Sequence, residues 1–277
     1  MNRFPSLFVS HGSPMTALEP GAVGPFWSAL GPALEALGGK PRAIIAVSAH
    51  TLTHEPVLLA AARQPTVHDF SGFPPALYEL RYDSPGAPEL AAQVAECIRA
   101  AGLPVQVADE GGLDHGMWAP LRFMWPQPTL PILPLGFPPD WSPERLFELG
   151  TALADIDDVL VLGTGSITHN LRLLNQSPTR PGLDTPELPA SAAFRGWFAS
   201  RLGARDWPAL MDYRAQAPNA VLMHPSDEHL LPLYVAAGAG GRDAVPQRLH
   251  DSITYGCLGM DAYAFGEPAG ALRAALL

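Results

Sequence analysis

The stretch AIIAVSAH, residues 43–50, decides the architecture, because an unbroken run of apolar and small residues ends there on a histidine. So short a run offers no polar face to water, which is the pattern of a strand buried on both sides within a parallel sheet. Runs of the same kind recur at 7–10, 57–61, 105–108, 132–135 and 159–162. Helical periodicities lie between them at 21–37, 88–101, 143–156 and 190–202. The third opens well, with Ser142 as N-cap, Pro143 at the first helical position and Glu144 in the first turn. Strands alternating with helices predict an α/β fold, with a mainly parallel central sheet and helices on both faces. With no linker and no internal repeat, residues 1–277 are expected to form a single catalytic domain.

Composition narrows the function. A chain of 277 residues that is 47% hydrophobic and 16% charged is not a disordered one. Its 17 Lys+Arg against 27 Asp+Glu give a net charge of -10. That leaves no basic face for a phosphate backbone or an anionic bilayer, so no nucleic acid and no membrane partner is expected. Cys97 and Cys257 form no CxxC pair, which argues against a disulfide framework and a thiolate zinc site. The apolar run in the opening MNRFPSLFVSH is too short for a signal peptide, and no stretch reaches the roughly 18 residues of a membrane span, so the cytoplasm is the expected location. The oligomeric state is left open.

The histidines set this chain apart from a generic α/β domain. His11 directly follows the strand 7–10, His50 follows 43–48, and His169 stands a few residues beyond 159–162. Three imidazoles at the ends of three parallel strands meet on the carboxyl edge of the sheet, where open α/β sheets bind ligands. A further segment, HPSDEHLLPL, carries His224 and His229; Ser226 reads there as an N-cap, which puts His229 in a first helical turn. Neutral imidazoles from separate elements are what a divalent first-row metal uses when three protein ligands leave a position open. Other motifs are weaker. GTGS at 163–166 follows a strand, but Thr168 stands where GxGxxG needs its third glycine. Ser13, before Pro14, reads as a turn residue rather than a nucleophile. His54 and His250 read as surface or core histidines.

Six ordered motifs carry a resemblance: HGSPM (11–15), SAH (48–50), HDFSGFP (68–74), DHGMW (114–118), THNL (168–171) and PSDEHLLPL (225–233). Over about residues 5–259 the chain resembles the LigB-like class III extradiol ring-cleaving dioxygenases, and within them the DOPA 4,5-dioxygenase branch. The resemblance implies a mononuclear non-haem metal, normally Fe(II), with Zn(II) also found in relatives. It assigns His11, His50 and His229 as metal ligands and His169 as the acid/base beside them. Protocatechuate-cleaving relatives use a glutamate as third ligand, and Glu228 adjoins His229 here; His224 and Glu228 are expected to support the ligands from behind. His115 is expected to hydrogen-bond substrate or dioxygen as a second catalytic group, and His68, Phe73 and Tyr78 to line the substrate entrance.

The implied partners are a small-molecule catechol and O2, and the implied product is a ring-opened semialdehyde. The alternative use of the same histidines is a zinc-dependent hydrolase of a small amide or ester, with the metal activating water. A closed metal site that merely stabilises the fold is the remaining possibility.

Overall fold

The structure, a computed structural model, describes residues 4–175 and 181–277. One eight-stranded sheet organises them. In chain order its strands are β1 (Ser6–Ser10), β2 (Ala43–Ser48), β3 (Val57–Leu59), β4 (Gln106–Ala108), β5 (Ile132–Gly136), β6 (Val159–Gly165), β7 (Gln247–His250) and β8 (Ala262–Phe265). They lie in the spatial order β4-β3-β5-β2-β6-β1-β8-β7. The centre, β5-β2-β6-β1, is parallel throughout, as its apolar runs predict.

Burial follows the pleat on both faces. Leu7, Val9, Ile44, Ala46, Leu160 and Leu162 point to one side, where they meet Trp27 and Leu30 of α1 (Val23–Gly38). Phe8, Ile45, Val47, Val159 and Val161 point to the other side. There they join one core cluster with residues of α2 (Pro88–Ala100), α4 (Pro143–Thr151) and α5 (Pro189–Ala204). Ser142 caps α4 as read from the sequence, its hydroxyl accepting the Arg145 amide N–H at 3.3 Å.

Three features escape the periodicity. Strand β8 pairs antiparallel with β1 and β7 antiparallel with β8 at the sheet edge, and β3 runs antiparallel to β5; β7 and β8 are only four residues each and pair through a register shift. Helix α6 (Pro232–Gly240) is apolar on every side because the sheet and α4 enclose it, so it shows no amphipathic period. Helix α3 (His115–Met124) contains Pro120, a residue that normally ends helical patterns. The last helix of the chain, α7 (Ala269–Ala275), packs beside α1.

Candidate functional site

The three strand ends converge as the sequence predicts. β2, β6 and β1 are neighbours, and His11 and His50 leave the carboxyl ends of β1 and β2. The ring centroids of His11 lie 5.0 Å from His50, 5.3 Å from His115 and 5.5 Å from His229. The approach of His229 explains the GTG of β6. A Cβ on Gly165 would stand 2.0 Å from the His229 carbonyl oxygen, which accepts the Ser166 amide N–H at 2.8 Å. Glycine there admits a histidine-bearing turn rather than a dinucleotide.

That turn corrects an expectation. α6 begins at Pro232 with no side-chain cap, so Ser226 is not an N-cap and His229 is not in a first helical turn. Ser226 Oγ donates to Glu228 Oε1 instead, and His229 is 5% exposed. A histidine so buried in the wall of the fold has a fixed ring, which suits a ligand better than a frayed helix end does.

Hydrogen bonds fix which ring nitrogens carry protons. Pro120 has no N–H, so inside α3 it leaves the Gly116 carbonyl without its helical donor. Thr164 Oγ1 donates to that carbonyl at 2.7 Å. With its proton spent, Thr164 accepts from His11 Nδ1–H at 2.9 Å. The Nε2 lone pair of His11 is therefore the free one. His229 likewise gives Nδ1–H to Glu228 Oε1 at 3.0 Å, and His115 gives its own to Asp69 Oδ2 at 2.9 Å. Asp69 also accepts the His115 amide N–H at 2.8 Å and stands 3.4 Å from His50 Nδ1.

Donor nitrogens of His11, His50 and His229 lie within 4.8 Å of one another, a group that can hold a metal ion. His11 Nε2 and His50 Nε2 face each other at 3.2 Å; with the His50 proton on Nδ1, towards Asp69, two lone pairs meet there, a repulsion that a bound cation relieves. Burial, and then the neighbouring imidazoles, push the His11 and His229 pKa values far below the ordinary histidine value, and burial also lowers His50. Neutral rings with a free Nε2 are the donor set that a first-row divalent metal requires, so the residues fit such an ion.

The remaining expected residues divide. His169 stacks on His229 with ring centroids 3.4 Å apart and planes 7° apart; burial, and next the charge of His224, lower its pKa to about 4. His50, Asp69, Phe73, His115, His169 and His229 line a cavity of about 730 Å³. His68 and Tyr78 stand back from it. The Tyr78 hydroxyl accepts the Phe73 N–H, and His68 Nε2 contacts the Leu80 carbonyl, so both brace the wall rather than form it. His224 is fully buried; Nε2–H donates to the Ile167 carbonyl at 2.7 Å and Nδ1 has no hydrogen-bond partner. Glu228 turns an oxygen to His229 Nδ1, the place of a buttress to that ring. Ser13 is a turn residue, capping the short turn that begins at Pro14. His54 is exposed, and His250 stacks on Phe26 away from the cavity.

Sequence reasoning missed Asp69, Asp114 and Thr164. Asp114 caps α3 and accepts from the Ser48 and Thr51 hydroxyls at 2.7 and 2.6 Å, tying α3 to the loop that carries His50. The signal was there for Asp114, an Asp directly before a helix-starting His; none existed for Asp69, whose partner lies 46 residues away.

A carboxyl-edge cluster of neutral imidazoles at the inner end of a largely apolar cavity defines a metal-dependent α/β enzyme. Residues 5–266 match the family described as the catalytic LigB subunit of aromatic ring-opening dioxygenase. The chain is 34% identical to a "4,5-DOPA dioxygenase extradiol" of Beta vulgaris over 264 residues, 94% of this chain and 96% of that one. It is also 34% identical to the protein of that name from Escherichia coli K12, over 86% of this chain and 85% of the other. The fold matches the crystal structure of an uncharacterized protein from Escherichia coli K12 with a TM-score of 0.77 at 28% identity, covering 95% of this chain and all of that one. The chain belongs to the LigB family and is an extradiol ring-cleavage dioxygenase. This favours ring opening over the hydrolase alternative.

Proposed function

We propose that His11, His50 and His229 hold a single Fe(II) ion and that the enzyme opens a catechol ring beside its hydroxyls, using both atoms of O2. The observation that carries this is the set of three imidazoles with Nδ1 spent or drawn to protein oxygens, two of them aimed at each other through Nε2 at the inner end of the cavity. Iron rather than zinc suits the reaction, because zinc is redox-inert and cannot pass an electron to O2. When bound, the metal supplies the template that brings the two catechol oxygens and O2 together.

The protein's own groups manage the protons. His169 is neutral at pH 7 and lines the cavity, so its ring can accept a phenolic proton and return it as the ring opens. Burial pushes the Asp69 carboxyl up, but the hydrogen bonds from His115 outweigh this and hold it below the usual range. The carboxylate keeps the His115 proton on Nδ1 and leaves Nε2 to a substrate hydroxyl or to dioxygen. We place the enzyme in the cytoplasm: Cys97 and Cys257 are unpaired, which fits a reducing compartment, and among the described residues no helix is long and apolar enough to cross a membrane.

The test is anaerobic reconstitution with Fe(II), then addition of a catechol panel in air while O2 uptake and the yellow semialdehyde are followed. Stoichiometric uptake with colour is expected. Bound iron without uptake for any catechol overturns the reading.

A further inference from the structure

Among the described residues four other than glycine hold a positive φ, and three of them are ordinary. Asp158 and Asn219 are residue types that enter the left-handed region readily, and Arg205 closes α5 as its C-cap. The fourth is Tyr255 at φ 54°, followed by Gly256 at 70°. The two are the central residues of the turn Thr254–Cys257, which the Cys257 N–H closes on the Thr254 carbonyl at 3.3 Å. Two successive positive φ values mark the primed turn that hairpins favour, and its first central position calls for Asn, Asp or Gly. A tyrosine there is held against its own backbone preference.

Several contacts hold it. The turn is the tip of a short hairpin, Ile253–Thr254 against Leu258–Gly259, between β7 and β8. At the base, Arg195 Nη2 donates to the Ser252 carbonyl at 3.1 Å. On one flank Thr168 Oγ1 donates to the Cys257 carbonyl at 2.9 Å and accepts the Gly259 N–H at 2.8 Å. On the other, the Tyr255 N–H donates to the Leu183 carbonyl at 3.2 Å and the Gly256 carbonyl accepts the Leu188 N–H at 2.8 Å. A Cβ on Gly256 would stand 2.7 Å from the Pro186 carbonyl oxygen, so the tip is also packed closely. Strained residues persist where their surroundings over-determine them, and they gather at binding sites.

What the hairpin presents is a wall of the cavity, which Tyr255 and Leu258 line together with His169 and His229. Thr168, which carries the hairpin, directly precedes His169, so Tyr255 enters the cavity on the side of the acid/base. An asparagine at this position would suit the turn and leave that wall without its ring. We propose that Tyr255 is a substrate-binding residue, its aromatic face lying against the catechol ring while the catechol oxygens meet the histidines. This rests on the ring-opening reading above and adds a residue to its binding site.

The test compares Tyr255→Asn, which removes the ring and suits the turn, with Tyr255→Phe, which keeps the ring. Three quantities are measured: the melting temperature of the metal-free proteins, kcat and KM of the Fe(II)-loaded enzymes on catechol and 4-ethylcatechol, and Kd for the same compounds by calorimetry on the redox-inert Zn(II)-loaded proteins. Tyr255→Asn is expected to melt no more than about 2 °C below the parent and to keep its metal. Its kcat should stay within about twofold, while KM and Kd rise about threefold or more for both compounds. Tyr255→Phe is expected to match the parent throughout. Either a smaller rise in KM and Kd for Tyr255→Asn, or a larger fall in its melting temperature, shows that the ring packs against protein rather than substrate and overturns the proposal. A Tyr255→Phe variant as impaired as Tyr255→Asn assigns the contact to the hydroxyl and overturns the role of the face. If the loaded enzyme opens no catechol, the ring-opening reading falls, and the Kd ratio between parent and Tyr255→Asn still decides the role of Tyr255.

Discussion

Two polar clusters sit on this fold, and they are built on opposite rules. Around Arg195 every charge is met from within. Arg195 bonds Asp261 through Nε at 2.7 Å and Glu187 through Nη1 at 2.8 Å, and Asp251 through Nη2; Arg248 bonds both Asp251 and Asp261. Arg195 is 4% exposed and Asp261 fully buried, yet nothing in the set is left over for a guest. Around His11 the partners satisfy only half of each ring. Thr164, Glu228 and Asp69 take the Nδ1 protons of His11, His229 and His115, and the Nε2 sides are unspent. A cluster that closes on itself holds structure together, whereas one that closes on one side only is prepared for something from outside.

The comparison predicts different failures. The largest effect belongs to the histidines: His50→Ala or His11→Ala should lose stoichiometric metal and all measurable ring opening, while the metal-free variant melts within about 4 °C of the metal-free parent. Elemental analysis and calorimetry decide this, and full metal retention by His50→Ala would break the proposed site. Next comes His169→Gln, which should keep the metal and lose about 10²- to 10⁴-fold in kcat, the usual worth of a positioned acid/base. Comparable in size but different in kind, Asp261→Ala removes the buried carboxylate that Arg195 and Arg248 share, leaving Arg195 to Glu187 and Asp251 and Arg248 to Asp251. It should cost about 3–5 kcal/mol of stability, read by urea unfolding, and keep metal stoichiometry below its transition. Loss of metal by Asp261→Ala in the folded state would mean that the two clusters are not independent.

Much of this is legible in the amino-acid sequence, and the physical reason is the range of the signal. A buried parallel strand declares itself in five or six residues, and a histidine at its end is placed on the carboxyl edge by topology alone, as β1 and β2 show. The strands β7 and β8 are not legible, because four-residue segments take their conformation from their pairing, β8 with β1 and β7 with β8, rather than from their own pattern. Helix α6 is hidden by complete burial. The supports behind the histidines are hidden by distance: Thr164 serves a residue 153 positions away. Pro120 carries a local signal that points the wrong way. It reads as a helix breaker, but here its missing N–H frees the Gly116 carbonyl that orients Thr164.

That linkage can be tested at a smaller scale. Thr164→Val keeps the volume and removes the acceptor for His11 Nδ1–H, so metal affinity should fall about 10- to 100-fold with little change in fold. Titration of the metal-free protein with Fe(II) under anaerobic conditions measures it. An unchanged affinity would mean that packing alone orients His11.

The smallest effect concerns His224, which lies behind the histidine cluster and has spent Nε2–H on the Ile167 carbonyl. Protonation would put a second N–H on its buried, unpartnered Nδ1, and burial accordingly holds its pKa below the ordinary value. The unfolded chain takes up that proton near pH 6.5, whereas the folded protein does not until the pH is lower. Stability from this residue is therefore complete above about pH 6.5 and is lost as the pH falls towards the folded-state value, with a slope of up to about 1.4 kcal/mol per pH unit. Other buried histidines add slopes of the same sign, so the difference between parent and variant is what isolates His224. His224→Gln keeps a donor for Ile167 and cannot be protonated. In urea unfolding of the metal-free proteins from pH 7.5 to 5, the variant should lose less stability than the parent, and the gap should open only below about pH 6.5. Parallel curves would show that His224 takes its proton without unfolding, and that the pocket behind the metal cluster admits water.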